Sequence, residues 1–370
     1  MRKAQRYLPD GLQFGLRNYW YPVLRSDQLP HGKPVGFRVL NETLVAWRGK
    51  DGKPNVVNDR CPHRHARLSA GRVLGGDLQC AWHGVRFDGR GQCSLIPWEP
   101  DDSHYRHELK IPGYPAQELG EWIWAYIGDP ERFAPPPLQD VVPEEILHPD
   151  EFIVFTHPAD MWKCNWLHAL DGSDGYHAVM LHAQSQTKST EKLGGGKAIP
   201  DLEDRRMEIV DTPQGLRGIV LDTEGNKIHH GHFMDGWKGE RWTLPCLFSL
   251  PISPAPNVQP YVARLYQFAI DAQHTQGSRW VAMRARNEQE RDRCRKLWDT
   301  VVGPRQAQVM QEDKEICETL GDIFEARANE FLFTVDRDVI AVRKMMADAW
   351  IAQTKGERPL PSKAAFAFPA

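Results

Sequence analysis

Two cysteines and two histidines stand in matched pairs near the start of the chain: Cys61 and His63 in "CPHRHAR", Cys80 and His83 in "CAWHG". Sixteen residues separate the pairs, and the whole chain has only 7 Cys. Two short Cys/His loops that face each other can hold one compact inorganic centre. Zinc takes such a donor set tetrahedrally. A two-iron, two-sulfide cluster takes it with both Cys on one iron and both His on the other. The spacing alone leaves both open. His65, in the first loop, is read as having no metal role, and Cys93 as an ordinary packed thiol.

A second set of donors lies in "DGSDGYHAVMLHAQ", where Asp174, His177 and His182 form D-x2-H-x4-H. At about 100° per residue, Asp174 and His177 share one helix face, but His177 and His182 are roughly 140° apart. Joint ligation therefore needs the helix to bend or end between the two histidines. A third ligand would complete a 2-His-1-carboxylate triad, the arrangement that keeps open positions on non-haem Fe(II) for oxygen. Asp313, in "VMQEDKEICETL", is the candidate, placed on an apolar stripe with Val309, Ile316 and Leu320. A carboxylate on a buried face is costly unless something neutralises it. Glu312, Glu315 and Thr319 are assigned to the polar face; Asp299 and Asp322 are alternatives to Asp313. The cluster His229, His230 and His232 has no acidic or Cys partner nearby in sequence and is read as solvated.

The elements that must position these donors divide into two kinds. From about residue 35, short strand-like runs such as "GFRVL", "TLVAW" and "PNVVN" alternate with turns, among them the Asp-Gly turn in "KDGK". This predicts a small all-β domain. Six Pro between Gly128 and Asp150 mark a linker, since such density excludes helix and central strand. Beyond it, "WKCNWLHALDGSDGYHAVMLH" looks helical, "GLRGIVL" and "VARLYQFAID" look like strands, and a charged helical region follows from Arg286 to Leu320. The second part is an α+β domain. The "GGGK" at residues 194–197 lacks the spacing of a phosphate loop.

Composition limits the choices further. The 370 residues allow two domains with real cores. A formal charge of −3 gives no electrostatic case for nucleic acid or an anionic membrane. No apolar run approaches a membrane span, and Pro9 and Asp10 interrupt the start before a secretory core develops. An odd number of scattered Cys argues for a reducing, cytoplasmic setting.

The motifs "CPHRH" and "CAWHGVRFDGRGQC" resemble the two cluster loops of Rieske oxygenases, C-P-H-R-G and C-x-x-H-G-W-x-F/Y. Respiratory Rieske proteins carry one further Cys in each loop; here Arg64, His65, Ala81 and Trp82 stand near those places. Two departures are His65 in place of Gly and Val85 in place of Trp. With "LRNYWYPVL", "GDP" and "FLFTVDRDVIAVRKMM" added, the chain resembles the oxygenase component (α subunit), nearest to the homotrimeric carbazole dioxygenase and phthalate dioxygenase-like group.

The resemblance implies an α+β fold, with a small all-β Rieske [2Fe–2S] domain and a larger helix-and-antiparallel-sheet (helix-grip) catalytic domain. We expect residues 1–34 to form an N-terminal arm packing with the catalytic domain, 35–145 the Rieske domain and linker, and 146–370 the mononuclear-iron domain. It implies that Cys61, His63, Cys80 and His83 hold the cluster, and that His177, His182 and Asp313 hold the iron. Asp174 matches the residue that links a cluster His of one subunit to an iron His of the next. Asp171 stands where many members have Asn, as a further candidate catalytic carboxylate. The implied function is hydroxylation of an aromatic or heteroaromatic compound with O2. Electrons would come from NAD(P)H through a separate reductase or ferredoxin, since no nucleotide-binding fingerprint occurs here. Monooxygenation with O- or N-dealkylation, and a non-oxygenase electron-transfer or metal-binding module, are the alternatives.

Overall fold

The computed structural model describes residues 8–172, 177, 181–182, 185, 188, 206–212, 215–221, 224, 227–228, 242–252, 254, 258–333 and 336–360. Asp174 and the His229, His230 and His232 cluster lie outside the described residues.

The first half is built from short antiparallel strands. Strands β1 (Tyr19–Arg25), β2 (Val35–Val39), β3 (Glu42–Arg48) and β4 (Pro54–Asn58) are followed by β5 (Arg72–Leu74), β6 (Asp77–Gln79), β7 (Arg86–Phe87) and β8 (Cys93–Leu95). A single helical turn, α1 (Tyr105–Glu108), precedes β9 (Gly113–Tyr114), β10 (Ala116–Leu119) and β11 (Trp122–Ile127). Three sheets result, ordered β2-β3-β4-β9, β5-β6-β7-β8 and β1-β11-β10. The "KDGK" turn closes the β3–β4 hairpin: Gly49 N–H donates to the Lys53 carbonyl, and Gly52 takes a φ of 79° that suits glycine. Val45, Trp47, Val57, Leu68, Leu78, Val85, Phe87 and Ile111 pack with Cys61 and Cys80 into one small core.

The second half centres on an antiparallel sheet. Its strands are β12 (Phe152–Thr156), β13 (Asp160–Trp162), β17 (Trp242–Thr243), β18 (Leu247–Ile252), β19 (Tyr261–Asp271) and β20 (His274–Arg284). They run in the order β12-β20-β19-β18-β17, with β13 also paired to β20. Between β13 and β17, β14 (Arg206–Thr212), β15 (Gly215–Leu221) and β16 (Lys227–Ile228) make a separate three-stranded sheet. The β19–β20 hairpin is buried along nearly its whole length, on both faces, and it carries buried polar residues such as Arg264, Gln267 and Ser278 among its apolar ones.

Helices cover this sheet. They are α2 (Glu144–Leu147), α3 (Trp166–Asp171), α4 (Glu288–Leu297), α5 (Gly303–Cys317), α6 (Ile323–Asn329) and α7 (Arg337–Thr354). A π-helical turn over Trp298–Val302 joins α4 to α5. Of the described residues between Trp162 and His182, a segment expected to be helical, Trp166–Asp171 form α3, whereas Trp162 ends the strand Asp160–Trp162. One face of the sheet packs Tyr261, Ala263, Leu265, Val281 and Met283 against Val302 and Met310 of the covering helices. The other face shares a large core with the N-terminal residues Leu12 and Leu16, with β1 and β11, and with Met346 of α7. Trp166 Nε1 donates to the Leu12 carbonyl at 2.9 Å, so the N-terminal segment and α3 meet directly. At the centre lies a fully buried ion pair, Arg264 with Glu145, bonded at 2.8 and 2.9 Å; Trp280 Nε1 donates to the same carboxylate. Among the described residues, no helix is long and apolar enough to cross a membrane.

Candidate metal centres

The first loop follows β4 directly. Buried Asp59 accepts from Ser69 N–H at 2.6 Å and Ser69 Oγ at 2.8 Å, tying both ends of the loop together. His65 N–H donates to the Cys61 carbonyl, and His65 adopts a φ of 59°. That left-handed conformation explains why Gly is the usual residue there; His tolerates it at some cost. The second loop turns between β6 and β7, where Gly84 N–H donates to the Cys80 carbonyl and Gly84 has a φ of 76°. Val85, the other departure, is buried in the small core.

The two loops face each other. The His63 and His83 rings lie 4.6 Å apart at their centroids. Cys61 and Cys80 are buried and their side chains are hydrogen-bonded. Burial pushes the Cys61 thiol up to about 11, while backbone N–H groups of His63 and Arg64 bond its sulfur. Those N–H groups, aimed at sulfur, suit a thiolate, and a bound cation supplies the remaining drive to ionise. Two thiols inside and two imidazoles towards the surface fit the [2Fe–2S] donor set.

The second cluster joins α5 to the chain beyond α3. His177 Nε2 lies 3.1 Å from Asp313 Oδ1, and His182 Nε2 lies 3.0 Å from the same oxygen. The two Nε2 atoms are 3.2 Å apart. All three donors fall within 4.8 Å of one another. Metal bonds of about 2.1 Å at right angles place neighbouring donors roughly 3.0 Å apart, against roughly 3.4 Å for a tetrahedron. At the observed distances the three donors are close enough that they would share one ion, and two imidazoles with one carboxylate suit a divalent cation such as Fe(II). The Leu181 N–H donates to the His177 carbonyl, and the 3.2 Å between the Nε2 atoms shows that the two imidazoles meet despite the roughly 140° separation expected of a straight helix. Burial works to raise the Asp313 carboxyl, but bonds from His177 and His182 outweigh it and hold it below the usual carboxylate range.

Sequence reasoning missed Glu312 at this centre. Its Oε2 lies 2.7 Å from His182 Nδ1 and accepts from Ser185 Oγ at 3.1 Å, while Gln308 donates to its Oε1 at 3.0 Å. A carboxylate on Nδ1 fixes the tautomer that turns the Nε2 lone pair towards the centre. Two adjacent carboxylates, Glu312 and Asp313, were the available signal. The apolar stripe also needs correction. Ile316 and Leu320 are 49% and 43% exposed, and the inward line of α5 runs instead through Gln306, Asp313 and Cys317. Asp171, expected as a catalytic carboxylate, is not in the cluster. It is bonded to Arg343 at 2.6 Å and to Arg327 at 3.1 Å.

A Rieske [2Fe-2S] domain model matches residues 19–115. Those residues are a Rieske domain. The chain is 34% identical over 173 residues to the 3-chlorobenzoate-3,4-dioxygenase oxygenase subunit of Comamonas testosteroni, covering 45% of this chain and 38% of that protein. It is 28% identical over 249 residues to the dicamba O-demethylase oxygenase component of Stenotrophomonas maltophilia, covering 66% of this chain and 70% of that protein. Its alignments therefore span well under half of the first relative and more of the second. The oxygenase in the reduced oxygenase–ferredoxin complex of carbazole 1,9a-dioxygenase superposes with a TM-score of 0.68 at 23% identity, covering 91% of this chain and 90% of that one. The α+β fold is thus that of a Rieske oxygenase α subunit, and a Rieske domain holds a [2Fe–2S] cluster.

Proposed function

We propose that the chain is the terminal oxygenase component of a multicomponent Rieske oxygenase, hydroxylating an aromatic or heteroaromatic compound with O2. A separate ferredoxin or NAD(P)H-dependent reductase delivers the electrons, and the chain works as a cytoplasmic homotrimer. One observation carries this reading: a Rieske-domain chain that also brings two imidazoles and one carboxylate to a common point. On this reading Cys61, His63, Cys80 and His83 hold the cluster, and His177, His182 and Asp313 hold a mononuclear Fe(II). Asp174 links a cluster His of one subunit to an iron His of the next. When bound, the cluster stores one electron at a time and the iron activates O2.

The chain's own residues position and protect. Glu312 keeps the His182 ring oriented and its Nδ1 protonated. Asp313, held ionised by the two histidines, brings the negative charge that a divalent cation needs. The apolar layer of Tyr261, Leu265, Val281, Met283 and Met310 keeps water from the sheet side of α5.

The test is O2 uptake by the purified chain with a surrogate reductase, NADH and a panel of aromatic compounds. His177→Ala should abolish uptake while retaining the cluster's colour; an inactive wild type across a broad panel, or full activity in His177→Ala, would overturn the reading. A second reading, O- or N-dealkylation, is supported by the extent of the match to an O-demethylase. Product formed under 18O2 separates the two: two labelled atoms in a diol mark dioxygenation, whereas an aldehyde leaving group marks dealkylation.

A further inference from the structure

The three-donor centre is assembled from two separate parts of the chain, since His177 and His182 follow α3 while Asp313 stands on α5. A helix of six residues such as α3 cannot fix its own direction. On one side, α3 is held by α5: Cys317 Sγ lies 3.8 Å from the His168 carbonyl, and a Cβ on Gly172 would lie 3.2 Å from that sulfur. On the other side, the last residue of α3, Asp171, ties the helix to two further helices. Its carboxylate receives Arg343 Nη2 at 2.6 Å and Nε at 3.1 Å, with Arg327 Nη2 at 3.1 Å. Arg343 in turn is forked onto Glu330, at 2.6 and 2.9 Å. Arg327 and Arg343 belong to α6 and α7, more than 150 residues further along the chain.

We propose that Asp171 is a positioning residue for the metal centre: its carboxylate locks the end of α3 to α6 and α7 and so fixes where His177 and His182 meet Asp313. This rests on the reading that those three residues bind metal. The charge count explains why an Asp stands at a place where the resembling family often has Asn. Two guanidinium groups, 7% and 9% exposed at the side chain, face two carboxylates, Asp171 and Glu330. An Asn would leave two buried cations against one anion, which is strongly unfavourable. Both oxygens of Asp171 accept from arginines.

The experiment uses full-length protein with its cluster assembled and its mononuclear iron removed, titrated with Co(II) and followed by the visible Co(II) absorption. Asp171→Asn should weaken Co(II) binding about 10–100-fold, in the range for residues that support metal ligands, and should alter the absorption envelope. The EPR signal of the reduced cluster should be unchanged. Arg343→Lys keeps the charge but loses the two-pronged contact, and it should shift the Co(II) affinity in the same direction; it decides the matter should Asp171→Asn not fold. A variant that melts earlier yet binds Co(II) with wild-type affinity and spectrum would show a merely structural salt bridge and overturn the inference. A wild-type chain that binds no Co(II) would overturn the metal-centre reading itself, which makes the two failures distinguishable.

Discussion

The contact between Glu312 and His182 gives a direct measure of how the centre is tuned. Replacing Glu312 with Gln keeps the size of the side chain and an acceptor oxygen, but removes the negative charge 2.7 Å from Nδ1. His182 is almost wholly buried, at 3% side-chain exposure, so little water is available to substitute. A hydrogen bond to an ionised acceptor is worth about 1.5–3 kcal/mol and a neutral one about 0.5–1.5 kcal/mol. The difference of roughly 1–1.5 kcal/mol corresponds to about a tenfold loss in Fe(II) or Co(II) affinity. Glu312→Ala, which also strands Ser185 Oγ and Gln308, should lose more. The assay is anaerobic titration calorimetry with the metal on cluster-loaded protein, since activity would mix binding with turnover. An unchanged dissociation constant in both variants would refute the orienting role of Glu312.

Three further outcomes follow from other parts of the structure. Glu145→Ala leaves Arg264 without its buried carboxylate and should destabilise the protein by roughly 3–5 kcal/mol, read as a lower urea midpoint; a midpoint within error of wild type would contradict the central role of this pair. His157 is held down to about 4 by burial and then by the Arg279 charge, while an unfolded His titrates near 6.5. The unfolded state thus binds the proton first as pH falls, so His157 stability is full above about pH 6.5 and is lost on the way down towards pH 4. About 2 kcal/mol should be gone at pH 5, and His157→Gln should remove that part of the pH dependence of unfolding. Gly84→Ala puts a Cβ 3.0 Å from Pro97 Cγ at a φ of 76°, costing about 1–2 kcal/mol, and should lower cluster occupancy measured by absorbance in the visible.

How far the sequence could carry these conclusions depended on the reach of each interaction. The cluster loops were legible because their residue types and spacings sit within 23 residues, and the strands and turns around them follow local rules. Asp313 was found, but by an argument that placed the wrong face of α5 inward. Apolar Ile316 and Leu320 are exposed, whereas Gln306 and Cys317 are buried. Periodicity assumes that apolar residues mark the core, and α5 instead turns Gln306, Asp313 and Cys317 inward, with Asp313 meeting His177 and His182. The meeting of His177 and His182 could be stated only as a requirement for a bend. The partners of Asp171 lie 156 and 172 residues away, and no local pattern couples an Asp on α3 to arginines on α6 and α7. The β19–β20 hairpin lacked alternation for the opposite reason: both its faces are covered, so the period-2 signal is lost.

Metal and sulfide analysis of the purified chain, with an EPR spectrum after reduction, tests the central claim most directly. Two metal centres of the kinds argued above require about three iron and two acid-labile sulfide per chain, with the signal of a reduced cluster having mixed Cys and His ligation. Zinc without sulfide, or a colourless chain free of iron, would contradict the account.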